Sequence, residues 1–593
     1  MANIMSQKNV RNHVHRNGFD LSFRNCFTAK VGEILPVMCK EVIPGDKFDV
    51  NVSSLSRTSP LQTAAFTRIR EYYDFYFVPT RLMWDKFPSY IVQTNNYTHS
   101  MSLKEGPTNL NSHPYIALDD LLTYLSELAR PEYGQEARDV LLNELGYSFY
   151  FNAIKLIDYL GYGDLSTTVK AISNSETGSN WDFPNLSLNP FPLLAYQKIY
   201  QDYFRNDLWE TSSPWTCNLD YIFTNEKLRL NLDDIYPTQL YSNINNIFTL
   251  RYANYKKDLF TGLQPRAQFG DTALASPLQG TIAGSYAYVR ASDGSYPVNG
   301  SPLMFGNGGV IYDKNGKEAG NITISSSTDS TAGISVFALR QAEFLQKWRE
   351  ITQSGSLDYK EQLEKHWNVK TSDFQSDKCR YLGGTASTLT INEQVNANLS
   401  GDNVTNIQAT GTGTTNGHIK ESFNEHGYLL CIYHAEPLLD WQPLGIPRMY
   451  TKTTAADYAI PEFDNLGMEP VMSSELAFGV LDDQGTEVGY PYIHPLGYAP
   501  RYYDYKTSLD MVHGDFLTID SSWVNPLTSY DIVRRLDRNN RVTYLFNKIN
   551  PDVLDSIFGI QLKNASSGPD QLKIGSFFDV KAVRNLSVNG LPY

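Results

Sequence analysis

Hydrophobic and polar residues alternate with a period of two near both ends of the chain and recur at helical spacing between them. In Lys47-Phe48-Asp49-Val50-Asn51-Val52 every second residue is apolar, the mark of a half-buried strand. Gly32-Glu33-Ile34-Leu35-Pro36-Val37 is a second strand-like run, and Pro44-Gly45-Asp46 supplies a turn between the two. Residues 69–78, IREYYDFYFV, are rich in aromatic strand formers, and Pro79 closes the run. Tyr428–His434, Tyr502–Lys506 and Asp515–Asp520 read as further strands. The period changes near residue 117, where Leu118, Leu121, Leu122, Leu125 and Leu128 predict a helix whose first turn carries Asp119 and Asp120. Helical stretches are also expected at 136–145, 153–160, 193–206, 337–351 and 358–367.

Residues 272–334 and 392–418 are dense in Gly, Ser, Thr and Asn and read as loops, the first of them exposed. Asp313-Lys314-Asn315-Gly316-Lys317 is a tight-turn sequence inside it. No internal repeat is present, so a propeller or solenoid is not expected. Strands toward both ends with long connections between them predict a mainly β protein, a sandwich with enlarged loops. An eight-stranded antiparallel jelly roll is the natural candidate, although pattern alone does not separate it from other sandwiches. The expected division is a basic arm over 1–30 and a β domain over 31–593, with helical and loop insertions over about 100–334.

Length supports large insertions. A chain of 593 residues exceeds the roughly 250–300 residues at which single cores stop growing. Its 39 tyrosines suit surfaces that are apolar in body and wet at the tip, as subunit contacts are. The formal charge of −14 argues against nucleic-acid binding over the whole surface, because phosphate contacts need local positive charge. Residues 1–30 differ, with five basic residues, Lys8, Arg11, Arg16, Arg24 and Lys30, against the single acid Asp20. Lys8, Arg11, Arg16 and Arg24 are therefore candidates to face nucleic acid. Five cysteines, none in a C-x-x-C unit, predict neither a disulfide framework nor a zinc site. No apolar run reaches membrane-spanning length, so no membrane insertion is expected, and MANIMSQKNVRNHVHRNG lacks the apolar core of a secretory signal.

Little else points to chemistry. His426, His434 and Glu436 are not spaced as a metal motif. Gly411–Gly417 lacks the spacing and βαβ setting of a dinucleotide loop, and Gly316-Lys317 lacks the rest of a phosphate loop. No G-x-S-x-G is present. The expectation is a non-enzymatic protein without metal or cofactor. Aromatic richness with acidic charge keeps a carbohydrate-binding or carbohydrate-cleaving sandwich as the alternative.

Several blocks in order carry a resemblance. They are Phe19-Asp20-Leu21-Ser22, Gly32-Glu33-Ile34-Leu35-Pro36, Pro44-Gly45-Asp46, AYQKIYQDYFRN at 195–206, RYANYKKDLFTGLQ at 251–264 and LRQAEFLQKWRE at 339–350. Later come Tyr381-Leu382-Gly383-Gly384, Glu425-His426-Gly427-Tyr428, Leu496-Gly497-Tyr498, Arg501-Tyr502 with Tyr505-Lys506, and Val583–Pro592. Together they resemble the major capsid proteins of microviruses, in the gokushovirus-like and Bacteroidetes-associated branches. Leu263-Gln264-Pro265-Arg266 departs from the family's Trp-Pro-rich continuation. The resemblance implies a jelly-roll subunit, sixty copies of which close into a T=1 icosahedral shell around circular single-stranded DNA. It also implies a virion protein assembled in the host cytoplasm, with a small basic DNA-binding protein and other virion proteins as partners. Outer loops contacting a host receptor are a further expectation.

Overall fold

The computed structural model describes residues 15–92 (without 62 and 64), 113–128, 149–173, 186–228 (without 222, 223 and 226), 230, 247–267, 304–305, 310–312, 318–321, 336–354, 359–370, 376–395, 407–481 (without 478 and 479), 487–489, 494–527 (without 525), 532, 542–558 (without 555 and 556) and 570–588. Ten strands frame it: β1 Asn17–Asp20, β2 Phe23–Ala29, β3 Leu35–Val42, β4 Lys47–Thr58, β5 Ile69–Pro79, β6 Arg380–Thr388, β7 Thr390–Val395, β8 Ile407–Ser422, β9 Gly427–Pro437 and β10 Leu572–Arg584. The alternation read at Lys47–Val52 continues through all of β4, where Phe48, Val50, Val52, Ser54, Ser56 and Thr58 point inward.

One sheet runs β2–β10–β4–β8–β7, with β1 also pairing β10; the other runs β6–β5–β9–β3, and all these pairings are antiparallel. The sheets face each other as a sandwich. Phe27 of the first sheet meets Tyr433 of the second edge-on at 5.1 Å, and the Ser56 hydroxyl donates to Glu71 Oε2 at 2.5 Å across the gap. Phe423, in the β8–β9 turn, packs on Phe48 and Phe77 from the two sheets.

The two sheets differ in cover. Strand β9 is buried along nearly its whole length, so both of its faces lie against protein. The second cover comes from the helices Phe191–Ile199 and Phe149–Leu160, which pack on β5, β9 and β3. Strands β4 and β10 instead alternate strictly between buried and open residues. The outward face of the larger sheet is thus left open along these strands.

A second compact unit comprises residues 268–357 and 361–369. It contains the helix Val336–Ser354, most of the helix Tyr359–Trp367, and the short antiparallel strands Met304–Phe305, Val310–Tyr312 and Glu318–Asn321. The expected turn at Asp313–Lys317 lies outside the described residues, but the strands beside it pair Tyr312 with Glu318. Most of 272–334, including its exposure, and the helix expected at 136–145 also fall outside the described residues.

Several expectations change. The stretch 392–418, read as a polar loop, contains strand at 392–395 and 407–418. Its glycines are there because neighbours crowd the inward face: a Cβ at Gly413 would lie 2.5 Å from Glu71 Oε2, and one at Gly417 would lie 2.6 Å from Thr385 Cγ2. The arm over 1–30 becomes sheet from Asn17 onward, because β1 and β2 both pair with β10. Tyr502–Lys506 is a short helix, Tyr503–Lys506, entered through Tyr502 in the left-handed region at φ 59°. Asp515–Asp520 begins in a 3-10 turn, Gly514–Leu517, rather than a strand. The helix expected at 193–206 is α-helical over Phe191–Ile199 and then widens into a π turn, Tyr200–Phe204.

Candidate functional site

Strand register assembles the open face of the larger sheet row by row. Lys573 on β10 lies directly opposite Arg57 on β4 and Thr28 on β2. Gly575 lies opposite Leu55 and Cys26, and Phe577 lies opposite Ser53 and Arg24. All three cations of these rows, Arg24, Arg57 and Lys573, are exposed. Among the described residues none of the three has an ion-pair or hydrogen-bond partner. Gly575 adds no bulk between the rows, since a Cβ there would meet nothing within 4 Å.

The first two rows and Arg24 form the floor of a cleft of 1170 Å³ lined by Arg24, Arg57 and Lys573 together with Leu55, Thr28 and Asp570. Its wall is the helix Phe149–Leu160, which contributes Lys155, Asp158 and Tyr159. That helix is fixed to the sandwich by charge. Lys155 Nζ lies 2.6 Å from Glu33 Oε2 and 3.0 Å from Asp570 Oδ2. Burial alone would lower the Lys155 pKa, but the two carboxylates outweigh it and hold the ammonium charged. Burial raises the pKa of Glu33, with Lys155 opposing. The Tyr159 hydroxyl donates to the Thr28 carbonyl and accepts from the Thr28 N–H. Lys155 is therefore committed to structure, and the free positive charge of the cleft belongs to the sheet.

Of the four cations singled out from sequence, Arg24 alone is placed in this cleft. Arg16 serves elsewhere. Its Nε donates to Asn585 Oδ1 and its Nη2 to the Gly45 carbonyl, each at 2.9 Å, tying β1 to the chain after β10 and to the Pro44–Asp46 turn. Lys8 and Arg11 lie outside the described residues. Sequence reasoning missed Arg57 and Lys573. Extending the alternation from Val52 to Thr58 finds Arg57 on the open face, whereas its pairing with Lys573 is a long-range contact with no local signal.

The residues weighed for metal chemistry separate. His434 and Glu436 meet, with Nδ1 3.2 Å from Glu436 Oε1, while Nε2 lies 3.1 Å from Asp74 Oδ2. His426 instead sits edge-on to Phe87 at 5.7 Å. Among the described residues no group of three His, Cys, Asp or Glu side chains is arranged to hold a metal. Gly411–Gly417 is part of β8, so it forms no phosphate-binding loop. No described helix is long and apolar enough to cross a membrane.

The sequence model of one family, described as capsid protein (F protein), matches residues 8–108 and 168–593. The wall helix Phe149–Leu160 falls in the unmatched interval. Capsid protein VP1 of Chlamydia phage 1 is 25% identical over 564 residues, covering 85% of this chain and 84% of that protein. Capsid protein VP1 of Bdellovibrio phage phiMH2K is 24% identical over 615 residues, covering 98% and 96%. Capsid protein VP1 of Spiroplasma virus 4 is 20% identical over 470 residues, covering 73% of each. With most of its length matched by that one model, the chain belongs to the phage F-type capsid protein family and is a structural protein of the shell.

Proposed function

We propose that this chain is the major subunit of a T=1 icosahedral shell of sixty copies enclosing circular single-stranded DNA, and that its sandwich is a jelly roll. The observation that carries the reading is the order of the eight long strands. Taken along the chain as B (β2), C (β3), D (β4), E (β5), F (β6), G (β8), H (β9) and I (β10), they lie as B-I-D-G in one sheet and C-H-E-F in the other. The chain passes back and forth between the two sheets, which is how two Greek keys wind into one roll. Strands β1 and β7 are additions at the edges of the first sheet.

A shell subunit needs surface more than chemistry. Stable contacts bury about 1,200–2,000 Å² each, and heterologous contacts must close around symmetry axes. The helical connections and the second unit add surface that a bare roll lacks. We read the protein as non-enzymatic, resident in the virion and assembled in the host cytoplasm. Lys8 and Arg11 supplement Arg24 in facing DNA, and a separate small basic protein neutralises more of the genome, in keeping with the net charge of −14. Other virion proteins and a host receptor are further partners.

The test is negative-stain microscopy of the purified protein together with its sedimentation. Uniform icosahedral particles are expected. A protein that stays monomeric or forms only small oligomers, and binds or cleaves a carbohydrate, would overturn the reading.

A further inference from the structure

We infer that a cavity of 180 Å³ walled in part by Trp441, Pro447, Met449 and Asp504 is a binding site for a small uncharged aromatic molecule with one hydrogen-bond donor, of the phenol class. The cavity shares no lining residue with the charged cleft, and nothing in its geometry depends on whether the chain forms a shell.

Three observations specify the ligand. The first is a fixed aromatic floor. Trp441 and Phe260 are buried and meet edge-on at 4.9 Å. The Trp441 indole N–H donates to Asp258 Oδ2 at 2.7 Å, and its backbone N–H donates to the Asp510 carbonyl at 2.7 Å. The floor is therefore held rigidly, whereas the rim is adaptable. Met449 and Met511 are exposed there, and unbranched thioether side chains shift at small cost and make favourable contacts with aromatic rings. The second observation is size. An apolar cavity of about 150 Å³ takes up benzene, so this one admits a single ring with a substituent. The third is one unmet polar group. Arg448 is paired with Glu469, and both Glu475 oxygens accept from the Tyr503 hydroxyl, at 2.6 and 2.7 Å. Asp504 Oδ2 is paired with Lys452, but its Oδ1 is buried with no hydrogen-bond partner among the described residues. A carboxylate oxygen buried without a donor costs free energy that a ligand hydroxyl would recover.

The same features select against other classes. Lys452 already neutralises Asp504, so a cationic ligand would be buried without a free counter-charge. A sugar would bring several hydroxyls to a mostly apolar lining and strand most of them. A purely apolar ring would fill the space and leave Oδ1 unsatisfied. A phenol supplies the one donor and sets its ring against Trp441 and Phe260.

The test titrates the full-length protein with p-cresol and with p-xylene, which has the same shape and a methyl group in place of the hydroxyl. Calorimetry and thermal unfolding are the readouts. p-Cresol should bind at one site per chain and raise the thermal midpoint as its concentration rises. Met511→Trp enlarges an exposed side chain at the rim. It should weaken binding of both compounds at least about tenfold, because the added ring takes the space that the ligand needs, with the unliganded midpoint close to the parent's. Asp504→Asn keeps the size of the side chain. Lys452 holds the amide oxygen, so the NH2 group faces the cavity and offers a donor where the phenol needs an acceptor. The ratio of p-cresol to p-xylene affinity should then fall roughly fivefold, the difference between a charge-assisted and an ordinary hydrogen bond. If Asp504→Asn does not fold, 4-methylanisole decides the same point in the parent: it keeps the oxygen, lacks the proton and should bind at least about fivefold more weakly than p-cresol. No binding of p-cresol to the parent at millimolar concentration, or binding that Met511→Trp leaves intact, would overturn the site. An unchanged ratio in Asp504→Asn, or displacement of p-cresol by glucose, would overturn the class of ligand. Release of p-cresol when particles form would also overturn the inference, by assigning the cavity to a side chain of a neighbouring copy.

Discussion

His434 is buried with a carboxylate at each ring nitrogen, Asp74 at Nε2 and Glu436 at Nδ1, and Tyr72 stacked on its face at 4.8 Å. Two carboxylates facing the two ring nitrogens favour the charged ring, with Nε2 aligned for a hydrogen bond to Asp74 and Nδ1 near Glu436 without that alignment. Burial pushes its pKa down, but the two carboxylates prevail, and the net direction is upward. The stabilising contribution is therefore complete below the ordinary histidine pKa of ~6.5 and is lost as pH rises through the elevated folded value. Urea midpoints of the parent should fall across that window, and His434→Gln should flatten this part of the profile. His434→Ala, which leaves two half-buried carboxylates facing each other, should cost about 3 kcal/mol in urea unfolding near neutral pH. Glu71 gives a second case. It is fully buried between the sheets, accepts from Ser56 and Tyr433, and is raised by desolvation. A raised carboxyl stabilises below its ordinary value of ~4.3 and loses that contribution as pH climbs through the folded value. Glu71→Gln should therefore narrow the stability gap between mild acid and neutral pH, measured by thermal unfolding. At this scale the sequence was only partly legible. The excess charge around Arg24 shows in a window of residues, but the partners of His434 and Glu71 lie mostly on other strands, and Arg16 proves to be a tie between chain segments.

Strand β8 shows why composition misleads at the scale of elements. Its outward positions are Thr410, Thr412, Thr414, Asn416 and His418, and its inward positions include Gly411, Gly413 and Gly417. Glycine and threonine together read as loop, yet here each glycine marks a close approach within a sheet. Gly413 is the tightest test, because an added Cβ would also lie 2.7 Å from Leu389 Cδ2 and 2.8 Å from Ser56 Oγ. Gly413→Ala should destabilise by about 1–3 kcal/mol through overpacking, read as a drop in urea midpoint at constant m-value. Thr414→Ala on the exposed side of the same strand should change little. The first half of β4 was legible because Phe48, Val50 and Val52 alternate with polar residues, and β5 because of its aromatic run. Tyr502–Lys506 misread in the opposite direction: five residues are too few to separate periods, and the Tyr502 N–H that enters the turn donates to Glu469 Oε1 at 2.7 Å, 33 residues away in sequence.

For the whole molecule, ordered blocks of residues identified the family more firmly than any local pattern identified an element, because they are spread along the entire chain. One stretch of the described surface carries a surplus of exposed apolar side chains and is a candidate contact between copies. Between residues 446 and 466, Ile446, Met449, Tyr450, Tyr458, Phe463 and Leu466 are 42%, 62%, 71%, 54%, 45% and 65% exposed. Isolated apolar residues on a surface are ordinary, but a run of this density on short 3-10 turns is unusual for a protein that works as a monomer. The segment is also anchored rather than loose. Lys452 is paired with Asp504 and lies 3.9 Å from the Tyr505 ring centre, and Arg448 is paired with Glu469. Rigid presentation of aromatic side chains lowers the entropy lost on association, which is what a contact repeated in every subunit of a shell requires. Oxidative footprinting should therefore show Met449, Tyr450 and Tyr458 labelled several-fold more slowly in particles than in dissociated subunits. Met449→Glu combined with Tyr450→Glu should block particle formation while leaving the subunit's thermal midpoint close to the parent's, since neither side chain belongs to the core. Equal labelling in both states, or normal particles from the double variant, would place the subunit contacts elsewhere on the surface.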